Sequence, residues 1–132
     1  MYLKGGAILR LNPDCIRDIL IYIESKTDSE IDCVDFEELV SALYNYDENT
    51  LHYHVNQISN FNLVHDVFYA DNKPNFISDL SPEGHEFLAN IRSNTNWNKI
   101  KKTYNKVGSE SLGAIKEIAI NVISQLIQNQ FH

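Results

Sequence analysis

Five histidines, two cysteines and one acidic cluster around a histidine are the groups in this 132-residue chain that could do chemistry. His52 and His54 stand two apart in LHYHVNQISN. On a helix that spacing points them to different faces, so they cannot converge on one metal ion. Neither belongs to H-E-x-x-H, and no cysteine is spaced to complete a ligand set. No metal site is expected, and His54 is read as a half-buried residue packing near the hairpin that follows. The segment EGHEF gathers Glu83, His85 and Glu86 at a helix start. A carboxylate beside an imidazole could act as an acid–base pair. No nucleophile, phosphate loop or second catalytic group accompanies it, and the two acids also suit the positive end of a helix. The structural reading is preferred, with Gly84 letting another segment approach the first helical turn closely. His65 and His132 complete the five. Cys15 and Cys33 lack C-x-x-C spacing and are expected as buried free thiols. The chain reads as a non-enzymatic protein without a cofactor.

Hydrophobic residues make up 43% of the chain and charged residues 22%, enough apolar material for a core without disulfide staples. The N-terminus has no apolar run that could be a signal peptide or a membrane span, which places the protein in the cytoplasm as an expectation. In LNPDCIRDILIYIES, Asn12 caps a helix, Pro13 opens it, and Ile16, Ile19, Leu20 and Ile23 share a face. IDCVD suits a short edge strand. DFEELVSALYN gives a second helix behind Asp35, with Phe36, Leu39, Val40 and Leu43 on one side. Asp47 caps a third helix with Leu51, Val55 and Ile58 inward, which stops near Asn60 where NFN can supply a left-handed residue. LVHDVFYA and NFISDL flank the turn DNKP as a β-hairpin. Helix–strand–helix–helix–hairpin is the winged-helix order. Ser81 and Pro82 start a fourth helix. A fifth carries Trp97, Ile100, Tyr104 and Val107 on one side, and the sixth spans about 20 residues.

LNPDCIRDIL, YHVNQISNFNLV and LSPEGHEFLANIRSNTNWNKIK together resemble the domain-of-unknown-function family numbered twenty-five thirteen, over about residues 11 to 125. Where such proteins usually carry a glycine before the leucine leading into the wing, this chain has Asn62, which also tolerates the left-handed conformation. The resemblance implies a winged-helix-like fold and a bacterial or prophage origin, and it transfers no catalytic residue. The expected fold class is mainly α with a small β-hairpin wing (α+β), a winged helix-turn-helix plus C-terminal helices. The expected division is a leader (1–11), a winged-helix domain (12–80) and a helical extension (81–132).

Charge bears on what such a fold would bind. Residues 1–91 carry 16 acidic and 5 basic side chains, whereas residues 92–132 carry 2 acidic and 6 basic. The preferred reading is mutual attraction or ordinary solvation, the sharper one contact between the basic part and phosphate or an acidic partner. DNA binders draw most affinity from Lys and Arg at phosphates, yet residues 45–70 contain neither. If double-stranded DNA is bound, Lys73, Lys99, Lys101, Lys102 and Lys106 are expected to supply the phosphate contacts, and Asn56 and Gln57 the base contacts. The leading expectation is a DNA-associated regulator or adaptor. The alternative is a protein-interaction module that does not bind DNA, meeting a host or phage protein. In the last helix Leu112, Ile115, Ala119, Val122 and Leu126 recur at spacings of three and four, the seam of a helix pair, and predict a homodimer. The competing arrangement folds that helix back onto the first and fifth helices of its own chain.

Overall fold

The computed structural model describes residues 10–131 in full, and the backbone alone at residues 3–4 and 7–8. There β1 (Leu3–Lys4) pairs antiparallel with β2 (Ala7–Ile8). The leader's other positions before residue 10, and His132, lie outside the described residues. Leu11, the last residue of the expected leader, is buried in the core.

Local sequence signals account for each helix start. Asn12 accepts hydrogen bonds from the Asp14 and Cys15 amides and Pro13 occupies the first turn, so α1 (Pro13–Lys26) begins where its cap allows. Ile16, Ile19, Leu20 and Ile23 are fully buried along its length. Strand β3 (Cys33–Asp35) runs directly into α2 (Phe36–Ala42), capped by the Asp35 carboxylate. Asp47 caps α3 (Glu48–Asn60), whose Leu51, Val55 and Ile58 have no exposed surface. The chain leaves α3 through Asn62 at φ 58°, the left-handed conformation that Asn tolerates.

The hairpin of β4 (Val67–Ala70) and β5 (Lys73–Ser78) turns on Asp71 and Asn72, both at positive φ, as a two-residue turn of this hand requires. The antiparallel sheet has the order β3-β5-β4, with Val34, Ile77 and Val67 paired across it as the buried row. This is the expected α+β class and element order. The hairpin is shorter than its sequence suggests. Leu63 is buried in the turn after α3, its carbonyl accepting the Ser81 amide, and Val64 makes only an isolated bridge to Leu80.

Three helices complete the described residues: α4 (Pro82–Ile91), α5 (Asn94–Val107) and α6 (Leu112–Asn129). Trp97, Ile100 and Tyr104 are buried, and Gly108 ends α5 at φ 76°. Val107 is 57% exposed rather than inward, because its turn leads into the exposed loop 108–111. α6 packs on α5 and α4. No helix among the described residues is long and apolar enough to cross a membrane.

The opposite charges of the two parts meet at their junction. Arg92 binds the Glu24 carboxylate with both terminal nitrogens, and Lys101 lies 3.0 Å from Asp14. Arg17 of α1 donates to the Ile91 and Arg92 carbonyls, tying α1 to the end of α4. These contacts support the preferred reading of the charge asymmetry as attraction within the chain.

Candidate functional site

α3 and the β4–β5 hairpin form the surface that the winged-helix expectation assigns to DNA, and two of its expected contact residues, Asn56 and Lys73, already have partners within the chain. Asn56 accepts a hydrogen bond from the Tyr69 hydroxyl. Lys73, near the wing tip, sits 3.3 Å from Glu48. Gln57 is half-buried on α3. His52 is also half-buried and meets the Phe36 ring edge-on, and burial first, then Lys73, push its pKa down. A cleft of about 190 Å³ between α2, α3 and the wing is lined by Glu37, Glu48 and Asp71, with Lys73 as its one cation. A phosphate backbone entering there would meet three carboxylates for one ammonium.

The lysine cluster divides in two. Lys101 is held by Asp14 and lies 5.8 Å from the Trp97 ring, which Arg17 approaches at 5.7 Å. The Trp97 indole N–H also donates to Asp14, at 2.8 Å. Trp97, Lys101 and Asp14 thus join α5 to α1, and the ring is not free to stack on a base. This arrangement holds the Asp14 carboxyl below its ordinary value: burial raises it, but the hydrogen bonds from Trp97 and Lys101 and the charges of Lys101 and Arg17 together outweigh that. Lys99, Lys102 and Lys106 form the other group. They are exposed at helical spacing on one face of α5, without an ion-pair partner among the described residues. Of the seven expected nucleic-acid residues, the structure therefore brings Lys99, Lys102 and Lys106 together, leaves Lys73 at the hairpin and Gln57 half-buried on α3, and occupies Asn56 and Lys101 elsewhere.

The dimer seam is corrected. Leu112, Ile115, Ala119 and Val122 are buried inside their own chain, and Leu126 is half-buried against the same core. Once α4 and α5 cover that stripe, a second copy cannot reach it. α1, named with α5 in the competing arrangement, is not the main partner either, since α4 takes that place. The large apolar residues left in solvent at this end of the chain are Ile120 and Ile127 of α6 and Phe131 just beyond it.

The acid–histidine segment places its acids and its histidine differently. Glu83 and Glu86 line a cleft of about 170 Å³ with Phe87, Asn90, Lys116 and Ile120, and His85 is not in its lining. Lys116 approaches Glu83 at 4.0 Å. His85 lies near enough to Glu24 to help lower that carboxyl's pKa, behind the larger effect of Arg92. Gly84 is buried against the Leu63 carbonyl, the close approach that its residue type suggested. Cys15 is buried, and desolvation with the nearby Asp18 charge pushes its thiol up to about 12, while Cys33 is half-buried; both are free thiols. The described residues contain no group of three or more His, Cys, Asp or Glu placed to hold a metal ion.

His54 is not half-buried near the wing. It is 1% exposed and packs at the start of α1, because its position on α3 faces inward beside Val55. Its Nε2 accepts the Asn12 amide at 2.8 Å and its Nδ1 donates to the Thr50 carbonyl at 2.7 Å, which assigns the neutral Nδ1–H tautomer. Burial lowers its pKa from 6.5, and the Thr50 contact offsets part of that. The unfolded chain therefore binds a proton that the folded chain rejects, so this contribution is complete above pH 6.5 and is lost as pH falls towards the folded value. Urea midpoints should drop between about pH 7 and 5 in the parent, and more gently in His54→Gln. Parallel profiles would remove His54 as the cause.

Sequence reasoning passed over the outer face of the sheet. Phe68 and Phe76 are cross-strand partners, 53% and 39% exposed. The alternation after the inward Val67 was the available signal, but it required the register of the hairpin.

A family model described as "Hypothetical protein (DUF2513)" matches residues 10–110. An uncharacterized protein of Haemophilus influenzae is 31% identical over 122 residues, covering 90% of this chain and 99% of that protein. No solved structure matches.

Proposed function

The chain belongs to the family described as hypothetical protein (DUF2513), and on that premise we propose that it is a non-enzymatic cytoplasmic adaptor that binds another protein through its winged-helix-like surface. One observation carries this reading. The face that would meet DNA presents Glu37, Glu48 and Asp71, and its Lys73 is already paired with Glu48. Phosphate contacts supply most nonspecific DNA affinity, and this surface offers none uncompensated.

The second reading is a DNA-associated regulator. It is favoured by Lys99, Lys102 and Lys106, which are exposed together on α5. Fluorescence anisotropy with random-sequence duplex DNA, at low and moderate salt, separates the two. The adaptor predicts no saturable binding even at low salt. Saturable binding with a negative salt slope, abolished by Lys99→Glu/Lys102→Glu/Lys106→Glu, would overturn it in favour of the regulator.

A homodimer remains part of the proposal in an altered form, with Ile120, Ile127 and Phe131 in place of the closed seam. No charged side chain occurs in residues 118–131, so two negatively charged copies can approach there without direct like-charge contact. Light scattering behind size exclusion should give about twice 15.2 kDa. A mass that stays at the monomer value at high concentration would withdraw the dimer.

A further inference from the structure

The outer face of the three-stranded sheet combines exposed aromatic rings with carboxylates. Directly opposed residues of antiparallel strands share a face. The register therefore sets Asp35, Phe76 and Phe68 in one row across β3, β5 and β4, opposite in direction to the buried row Val34, Ile77 and Val67. Asp35 continues into a shallow depression that it shares with Tyr22, Glu37 and Glu38. Burial, then Glu38 and Asp35, push the Tyr22 phenol up, as a negative potential would. At its edge Lys26 lies 5.8 Å from the Tyr22 ring, an instance within the chain of an ammonium held by a ring among acids. Residues 28–86 as a whole carry 13 acidic side chains and one basic, Lys73.

The chemistry of that row selects a cation with an apolar stem. Aromatic faces attract ammonium and guanidinium groups, and guanidinium stacks flat on a ring. A carboxylate beside the ring adds a charge-assisted hydrogen bond. Arginine and lysine side chains offer both parts, the stem to the rings and the head to the acids. We propose that the outer face of the β3–β5–β4 sheet docks an arginine- or lysine-bearing segment of a partner protein, its side chains lying on Phe68 and Phe76 and pairing with Asp35, Glu37 and Glu38. Glu37 borders both this face and the cleft beside α3, and the carboxylates that attract such a segment repel phosphate. This assignment rests on the adaptor reading, places the contact on the outer face of the sheet, and adds the partner's chemistry.

A short synthetic peptide alternating arginine with valine is a suitable probe, with its glutamate–valine counterpart as control. Titrated into the full-length ¹⁵N-labelled protein, the basic peptide should shift amides in residues 33–38, 66–70 and 74–78, and the acidic one should not. Phe68→Thr/Phe76→Thr keeps strand propensity and should weaken binding about tenfold. Glu37→Gln/Glu38→Gln, on exposed positions, should weaken it severalfold and flatten its salt dependence. Asp35 is left intact because it caps α2. Absent binding, unchanged affinity in the folded threonine variant, or shifts confined to other faces would overturn this surface. Binding on another face would still leave a protein-binding module, whereas the adaptor reading itself falls by the DNA titration above.

Discussion

Gly84→Ala should destabilise the protein by about 3 kcal/mol or more, although alanine is ordinarily the better helix former by roughly 1 kcal/mol. A Cβ at Gly84 would lie 1.9 Å from the Leu63 carbonyl oxygen and 2.8 Å from its carbon. Both neighbours are backbone, so no side chain can rotate aside. The carbonyl is fixed in turn: it accepts the Ser81 amide at 3.0 Å, while the Leu63 amide donates to Ile58 at the end of α3. Ser81 tightens the same joint, donating its hydroxyl to the Asn62 carbonyl and accepting the Gly84 amide. Relief requires α4 to withdraw from the turn after α3, opening the core around Leu63, Leu80 and Leu88. Gly113→Ala is the matched control, since its Cβ would meet the Phe61 ring at 3.4 Å and the Ser111 hydroxyl at 4.0 Å, ordinary side-chain contacts, and should leave stability nearly unchanged. Urea unfolding of both variants checks the contrast. A Gly84→Ala midpoint within error of the parent would show that the α3–α4 joint is looser than its geometry.

Val55→Asp should abolish cooperative folding. Val55 has no exposed surface and lies on the face that α3 turns towards α1, between Leu51 and Ile58. His54 beside it is neutral and already hydrogen-bonded through both nitrogens, so it offers the new carboxylate no ready cation. An unpaired charge in such a site costs several kcal/mol or more, a large share of the stability of a domain this size. Asn49→Asp, on the exposed side of α3, should change stability by less than about 0.5 kcal/mol. Thermal melts followed by circular dichroism distinguish the two positions. A Val55→Asp protein melting with the parent would reverse the assigned faces of α3.

The difference between those two predictions marks where sequence reading stops. Val55 as a core residue was legible from spacing, because i, i+4, i+7 periodicity is local and α3 exists mainly to bury that stripe. Caps were legible for the same reason: Asn12, Asp35, Asp47 and Ser81 each bond amides two or three residues ahead. So was the left-handed Asn62, and so was the need for a small residue at Gly84. Which segment approaches Gly84 was not, since the Leu63 carbonyl reaches it only after α3 and α4 have packed.

The candidate sites depend still more on long-range contacts. Trp97 and Lys101 meet Asp14 across more than 80 residues, which turns an apparent nucleic-acid cluster partly into a structural joint. The α6 stripe of Leu112, Ile115, Ala119 and Val122 announced a helix partner by its spacing. Spacing cannot say whether that partner belongs to another copy or to the same chain, and α4 and α5 took the place. His54 shows the same limit, because a period of 3.6 placed it near the inward side but only α1 gave its nitrogen a donor. Local chemistry determined the helices, their caps and their buried faces. Tertiary packing alone decided which charges remain free, which apolar stripes are covered, and that Phe68, Phe76 and Asp35 stand in one row, because each depends on residues far apart in the chain becoming neighbours.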